Sequence, residues 1–174
     1  MKKFFKSGVF EWIKSFIVAV IIAYIFLTFV AFFAFVPTSS MSPTIEEGTR
    51  ILVLKYQRYF DWEHRGLKYG DKVVFKTSLD GQPEKLYVKR LIGFGGDIIS
   101  IDNGHVFRNG EELVEDYVVN KDSFFMEEIT VPEGEIFVLG DNRANSYDSR
   151  YWVKKTVPID RVVGEVGIIM PKLF

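Results

Sequence analysis

The sequence contains no cysteine, which excludes a thiol nucleophile, a zinc–thiolate centre and a disulfide framework. Missing disulfides fit a cytosolic chain and equally an exported domain that folds on its core alone, so the compartment stays open. An excess of either charge is also missing: 22 basic residues face 23 acidic ones, a net charge of −1. Bulk charge therefore points to neither a nucleic acid nor an acidic polymer as partner. Histidine occurs only at His64, in the charged stretch WEHRG, and at His105, beside a turn; both contexts suit a surface residue better than a triad base. The chain has no G-x-S-x-G elbow, no H-E-x-x-H and no phosphate-binding G-x-x-x-x-G-K-S/T.

What is present begins with a long apolar run. Phe16 to Val36, FIVAVIIAYIFLTFVAFFAFV, is 21 residues without a charge. As a helix it would span about 31 Å, matching a hydrocarbon core of about 30 Å. A cleavable signal peptide usually has an apolar region of only about 7–15 residues and a small-x-small end, whereas this run ends in VPTSS. The reading is an uncleaved single-pass anchor at 16–36, behind a short N-terminus at 1–15. Lys2, Lys3, Lys6 and Lys14 precede the span against Glu11 alone, which places the N-terminus in the cytoplasm and residues 37–174 outside the cell membrane. Trp12 could rest among headgroups or be an ordinary helix residue.

With 174 residues, 48% of them hydrophobic and 16% aromatic, the chain holds one domain beside the anchor and is too apolar for a disordered tail. After Pro37 the pattern becomes short β-branched or alternating runs. Strands are expected at Arg50–Lys55, Lys72–Thr77, Lys85–Phe94, Asp97–Asp102, His105–Arg108, Glu127–Val131, Glu135–Leu139 and Arg161–Ile169. Asn103-Gly104 and Asn109-Gly110 are hairpin signals, because a type I′ turn needs positive φ at both central residues. No long amphipathic helical repeat follows the anchor. The expected fold is mostly β: an antiparallel, sheet- or barrel-like domain preceded by one N-terminal transmembrane α-helix.

Three segments read as more than scaffold. PTSSMSPTI, Pro37 to Ile45, packs three serines, two threonines and two prolines into nine residues, a composition that a plain juxtamembrane linker shares. KLYVKRLIGFGGD, Lys85 to Asp97, would put Tyr87 and Lys89 on one strand face and Leu86, Val88 and Arg90 on the other. One of its basic residues must then point at something partly buried, unless the lysine guards an exposed edge. GDNRANSYDSRYW, Gly140 to Trp152, is a dense polar loop after the apolar strand EIFVL. Asp148 could pair there with Arg150 or Arg143; a surface loop or a weak calcium site has similar composition, although the acidic spacing of an EF-hand is absent.

If a serine is activated here, lysine is the better base. A free lysine, with a pKa of about 10.4, must lose roughly three units to accept a serine proton near neutrality, which is about 4 kcal/mol. Burial beside Leu86, Val88, Leu91 and Ile92 is a suitable source of that shift. A hydroxyl such as that of Ser146 could orient the neutral amine.

Taken in order behind one N-terminal span, the three segments resemble type I signal peptidases, the Ser–Lys dyad proteases that remove signal peptides from exported preproteins. SMSPT matches the serine–methionine box, which assigns the nucleophile to Ser40. Thr38 falls where the family often has a serine that helps the nucleophile's N–H hold the oxyanion. YGDKVVF, Tyr69 to Phe75, resembles the supporting strand, and VKR places the general base at Lys89. The GDNR box would give Ser146 as a hydrogen-bond partner of Lys89 and Asp148 with Arg150 as the supporting ion pair. The chain departs from the pattern in having FGGD where a proline usually precedes Gly-Asp, Ala144 for a common aspartate, and Val153 for glycine. Ala144 removes one member of the supporting network.

The resemblance implies acyl transfer from preprotein substrates with small residues at positions −1 and −3, without metal or cofactor. Val36, Met41, Ile45, Tyr87 and Val88 fall at positions matching the substrate-pocket lining, and core packing would explain the same residues. The implied partners are signal peptides, membrane lipid and, in proximity, the export machinery. YQRYFDW, Tyr56 to Trp62, with Phe124, Phe125 and Met126, could dip into the lipid interface or pack internally. Two other readings are a dedicated-substrate Ser–Lys protease and a catalytically inactive bitopic protein that binds exported chains or assembles a membrane complex.

Overall fold

The computed structural model describes residues 2–55, 66–78, 81 and 83–171, with side chains placed from Val9 onward. The apolar run divides in two. Helix α1 covers Lys2–Phe29 and strand β1 covers Ala31–Phe35. Among the described residues the membrane-length helical stretch is Val9–Phe29, 21 residues, and the C-terminal part of the expected span at 16–36 is strand rather than helix. Lys14 and Glu11 fall inside this stretch and pair at 3.0 Å, which offsets their charges.

Lys55 explains where the helix stops. The last carbonyls of a helix lack intrahelical partners, and a cation there also meets the negative end of the helix dipole. Lys55 Nζ donates to the carbonyls of Thr28 at 2.8 Å and Leu27 at 3.4 Å, and its backbone N–H donates to Val30 at 2.7 Å. Beyond that cap, Ala31–Phe35 pairs antiparallel with β2, Arg50–Leu54. Phe33 and Phe35 stay exposed, while Phe32 and Ala34 pack on the core. A sequence such as AFFAF, apolar on both faces, looks alike as helix end and as strand.

The remaining strands are β3 (Lys72–Thr77), β4 (Lys85–Phe94), β5 (Ile98–Asp102), β6 (His105–Arg108), β7 (Glu111–Glu112), β8 (Met126–Thr130), β9 (Glu135–Leu139), β10 (Val157–Pro158) and β11 (Val162–Ile169). The fold is the expected one, mostly β and antiparallel behind one apolar helix. β1, β7 and β10 are additional to the expected strands. Both hairpin turns form, with φ of 46° and 79° at Asn103-Gly104 and 56° and 82° at Asn109-Gly110. A seven-stranded sheet runs β1-β2-β11-β3-β4-β9-β10 and a four-stranded one β7-β6-β5-β8.

Three apolar clusters fill the interior. One is built around Phe75, Leu91 and Trp152, one around Ile99, Phe137 and Leu139, and one around Val36, Met41, Ile45 and Val74. At roughly 1.5–3 kcal/mol per buried large side chain, the second cluster, which joins Ile99 and Met126 of the smaller sheet to Phe137 and Leu139 of the larger, holds the two sheets together. Met126 is buried in the second cluster and Phe124 is half-buried with its ring edge-on to Tyr151, leaving Phe125 exposed. Of the expected lipid-facing cluster, then, Met126 is core, and Tyr56 to Trp62 lie outside the described residues, as does His64.

Candidate active site

Ser40 lies five residues after β1, in a tight turn. The N–H of Ser42 donates to Ser39 at 3.0 Å and that of Ile45 to Met41 at 2.8 Å. Met41 and Ile45 are both fully buried in the third cluster and line neither cleft beside the serine. The expectation that they line a substrate pocket is corrected: they pin the turn from below and so hold Ser40 in place. Two large apolar side chains that close to a polar turn are held by the hydrophobic effect.

Strand β4 brings Lys89. This residue is opposite Val73 of β3 and is buried, so the alternative of an exposed edge guard does not apply. Its Nζ donates to Ser40 Oγ at 2.7 Å, and both residues are buried, with 4% and 7% of their surfaces exposed. Burial disfavours the ammonium form and pushes the Lys89 pKa down from 10.5 to about 8. The negative charges of Asp148 and Asp141 pull it back up, and Arg150 pushes it further down.

Its neighbour Arg90 is buried too, on the other strand face. Its guanidinium meets both oxygens of Asp141, at 2.7 and 2.6 Å, donates to the Gly70 carbonyl at 2.7 Å and stacks 3.7 Å from the Tyr117 ring centre. Thus both basic residues of VKR point inward. Arg90 finds a full set of partners and keeps its charge; Lys89 finds a neutral hydroxyl and has a lowered pKa.

The Gly140–Trp152 loop closes over Ser40 and Lys89. Asp148 takes Arg150 Nε at 2.8 Å and Nη2 at 3.0 Å, and accepts the Gly140 N–H at 3.0 Å. Asp122 adds a second carboxylate to Arg150 at 2.5 Å, and Glu115 pairs with Arg143 at 2.5 Å. Ala144 supplies no charge here; Asp122 and Glu115, from the preceding segment, brace this loop instead. Asn142 straps the serine turn: its N–H donates to the Ser40 carbonyl and its Nδ2 to the Ser39 carbonyl, each at 3.1 Å. Asn145 Nδ2 reaches Ser39 Oγ at 2.8 Å.

Gly140 makes this closeness possible, because a Cβ there would lie 2.2 Å from Ser146 Oγ and 2.6 Å from the Ser40 carbonyl oxygen. The expected hydrogen bond from Ser146 to Lys89 is not formed. Ser146 Oγ is buried against Gly140 with no hydrogen-bond partner among the described residues, while the Lys89 amine meets Ser40.

Two clefts meet at the serine. The smaller, about 290 Å³, is walled by β1, β2, β3 and β4 and includes Val36, Ile51, Val74, Tyr87 and Val88. The larger, about 960 Å³, runs past Ser39, Glu47, Asn145 and Tyr147. Thr38 stands at the mouth of both, its Oγ1 3.4 Å from Ser40 Oγ. Among the described residues no three His, Asp or Glu side chains group as a metal set.

The family model "Signal peptidase, peptidase S26" matches residues 9–171. The chain belongs to the signal peptidase family, peptidase S26. A probable signal peptidase I-2 of Synechocystis sp. is 36% identical over 159 residues, 89% of this chain and 70% of that protein. A signal peptidase I P of Bacillus subtilis subsp. natto is 37% identical over 156 residues, 83% of this chain and 80% of that one. A crystal structure of a signal peptidase I from Enterococcus faecalis V583 superposes with a TM-score of 0.48 at 32% identity, covering 58% of this chain and 97% of that one. The protein is accordingly a serine endopeptidase of the type I signal peptidase kind.

Set against the signal peptidase boxes, the structure gathers Thr38, Ser40, Tyr87, Lys89 and Ser146 around one cleft, with Asp148 and Arg150 paired behind it. His105 sits in the smaller sheet, exposed and paired with Glu112 at 2.6 Å. Sequence reasoning missed Asn142, Asn145 and Asp141 as organisers, although all three lie in the GDNR segment. It also missed Glu115, Asp122 and Tyr117, in a stretch with no distinguishing pattern.

Proposed function

We propose that the protein removes N-terminal signal peptides from exported preproteins by Ser–Lys acyl transfer, held at the membrane by α1. The observation that carries this reading is the buried 2.7 Å contact between Lys89 Nζ and Ser40 Oγ. Neutral Lys89 takes the serine proton as Oγ attacks the scissile carbonyl, and the resulting ammonium gives that proton to the leaving amine. A water deprotonated by the same amine then releases the acyl group. The backbone N–H of Ser40 and the Thr38 hydroxyl hold the oxyanion, where each donor typically contributes about 3–4 kcal/mol. Ser146, with its hydroxyl unspent and beside the cleft, receives a hydrogen bond from the Lys89 ammonium when it forms. Asp148 and Arg150 hold the loop that carries it. No metal or cofactor enters these steps.

Substrate binding follows from the sheet. Lys85–Arg90 pairs with β3 on one side, and β9 begins its pairing only at Arg90. The other edge of Lys85–Lys89 therefore borders the smaller cleft, where an extended signal-peptide end can add as a strand. Val36, Tyr87 and Val88 then take the side chains at −1 and −3, and a pocket this small favours small ones. Lys2, Lys3 and Lys6 ahead of α1 favour a cytoplasmic N-terminus, which supports a site on the outer face of the cell membrane.

The test uses full-length wild type, Ser40→Ala and Lys89→Ala in detergent, each given a preprotein with an Ala-x-Ala site. Cleavage after that alanine by wild type, with both folded variants silent, is the expected result. Activity surviving in Ser40→Ala would overturn the nucleophile, and a wild type that binds the preprotein without cutting it would favour a binding or assembly protein.

A further inference from the structure

The smaller cleft accounts for the acyl side of the substrate, and the larger one is left without an occupant. Pro37, Thr38, Ser40, Tyr87 and Lys89 line both clefts, so the nucleophile sits on the divide between them. A peptide whose scissile carbonyl lies at Ser40, with its acyl side in the smaller cleft, must leave through the larger.

The lining of that exit has a definite chemistry. Its charged side chains are Glu47 and Lys89; Lys89 is engaged by Ser40 at 2.7 Å, which leaves the Glu47 carboxylate as the charge that faces a departing peptide. Ala144 also lines it, and Glu47 stands as the single acidic lining residue. Tyr147 and Tyr151 form a stacked ledge, with ring centres 6.1 Å apart and planes 18° from parallel. Both are about half exposed. The inner ring is fixed from behind by Phe124, edge-on at 5.0 Å, and by the Arg150 guanidinium at 5.1 Å. Aromatic faces carry negative potential and attract ammonium and guanidinium groups.

We propose that the larger cleft is a binding site for the first two residues downstream of the cut, in which Tyr147, Tyr151 and Glu47 favour a cationic side chain. The inference rests on the assignment of Ser40 as nucleophile and of the smaller cleft to the acyl side. Tyr147 and Glu47 are specificity residues: they touch the departing peptide and take no part in proton transfer.

The test is a set of preproteins identical except for Lys, Ala or Glu at the first or second position after the cut, given to the full-length protein in detergent. Wild type is expected to cut the lysine substrates with kcat/KM about threefold to tenfold above the glutamate ones. Glu47→Gln and Tyr147→Ala should each compress that ratio, and Tyr147→Phe, which keeps the ring, should preserve it. A ratio near one in wild type would overturn the subsite while leaving the peptidase reading intact. So would variants that slow all substrates alike, which marks a structural role. Failure of wild type to cut any member would overturn the peptidase reading, and the subsite with it.

Discussion

Asp141 grips Arg90 with both carboxylate oxygens, at 2.7 and 2.6 Å, one residue along the strand from Lys89. Asp141 is wholly buried and the Arg90 side chain is 9% exposed. The pair ties the first residues of the polar loop to β4, and so fixes the distance between the loop and the base. Breaking such a pair leaves a buried charge without its counter-ion, at a cost of about 3–5 kcal/mol. Asp141→Ala should therefore lower the denaturant midpoint sharply, as urea unfolding followed by tryptophan fluorescence will show. A loss under 1 kcal/mol would mean that Arg90 finds equivalent partners.

Activity should rise with pH through the Lys89 titration. With the amine as the proposed base, its pKa pushed down to about 8 by burial, the active fraction falls about tenfold per unit below that value. The measurement is kcat/KM against pH with one preprotein substrate. The acid limb is expected near 8, and a limb near 6 would point to a histidine or a carboxylate as the essential base.

The same shift makes Lys89 a burden on stability. Its folded pKa, about 8, is below the ordinary 10.5, so the unfolded chain binds the proton more tightly. The cost is fully present below pH 8 and fades as pH rises from 8 towards 10.5, where both states become neutral. Its size at neutral pH is about 3 kcal/mol. Lys89→Met should accordingly be inactive yet more stable than wild type at pH 7, with the gain shrinking across pH 8 to 10. Thermal melts of the two proteins at a series of pH values would measure it.

Gly140 is the tightest point of the loop. A Cβ there falls 2.2 Å from Ser146 Oγ and 2.6 Å from the Ser40 carbonyl oxygen, so Gly140→Ala must push the loop and the serine turn apart. Displacement of about 1 Å at a reacting group costs on the order of 100-fold in rate. Overpacking costs about 1–3 kcal/mol in stability. Steady-state kinetics and a thermal melt on the one variant test both, and wild-type kcat would show that the loop yields without moving Ser40.

Much of this was readable along the chain. Asn103-Gly104 and Asn109-Gly110 adopt the positive φ their side chains permit, and β3, β4, β6 and β9 begin and end where their runs of β-branched and apolar residues do. Turn chemistry and strand propensity act over a few residues, so a short window contains the cause. The boundary at Phe29 was not readable, since it depends on Lys55, more than twenty residues further on and next to it only in the folded chain.

The site divides in the same way. The sequence by itself determined which groups are available: a serine in a proline-flanked turn, adjacent basic residues on a strand, a polar loop behind an apolar one, and no cysteine or suitably placed histidine to compete with them. Only the tertiary structure decided what each group does. Met41 and Ile45 became anchors of the turn because the third cluster lies beneath them. Of the two neighbouring cations, Arg90 is paired with Asp141 and Lys89 faces a neutral hydroxyl. Burial and electrostatics sum over neighbours brought from all parts of the chain, 49 residues apart for Ser40 and Lys89, and a pKa near 8 is a property of that assembly rather than of any segment within it.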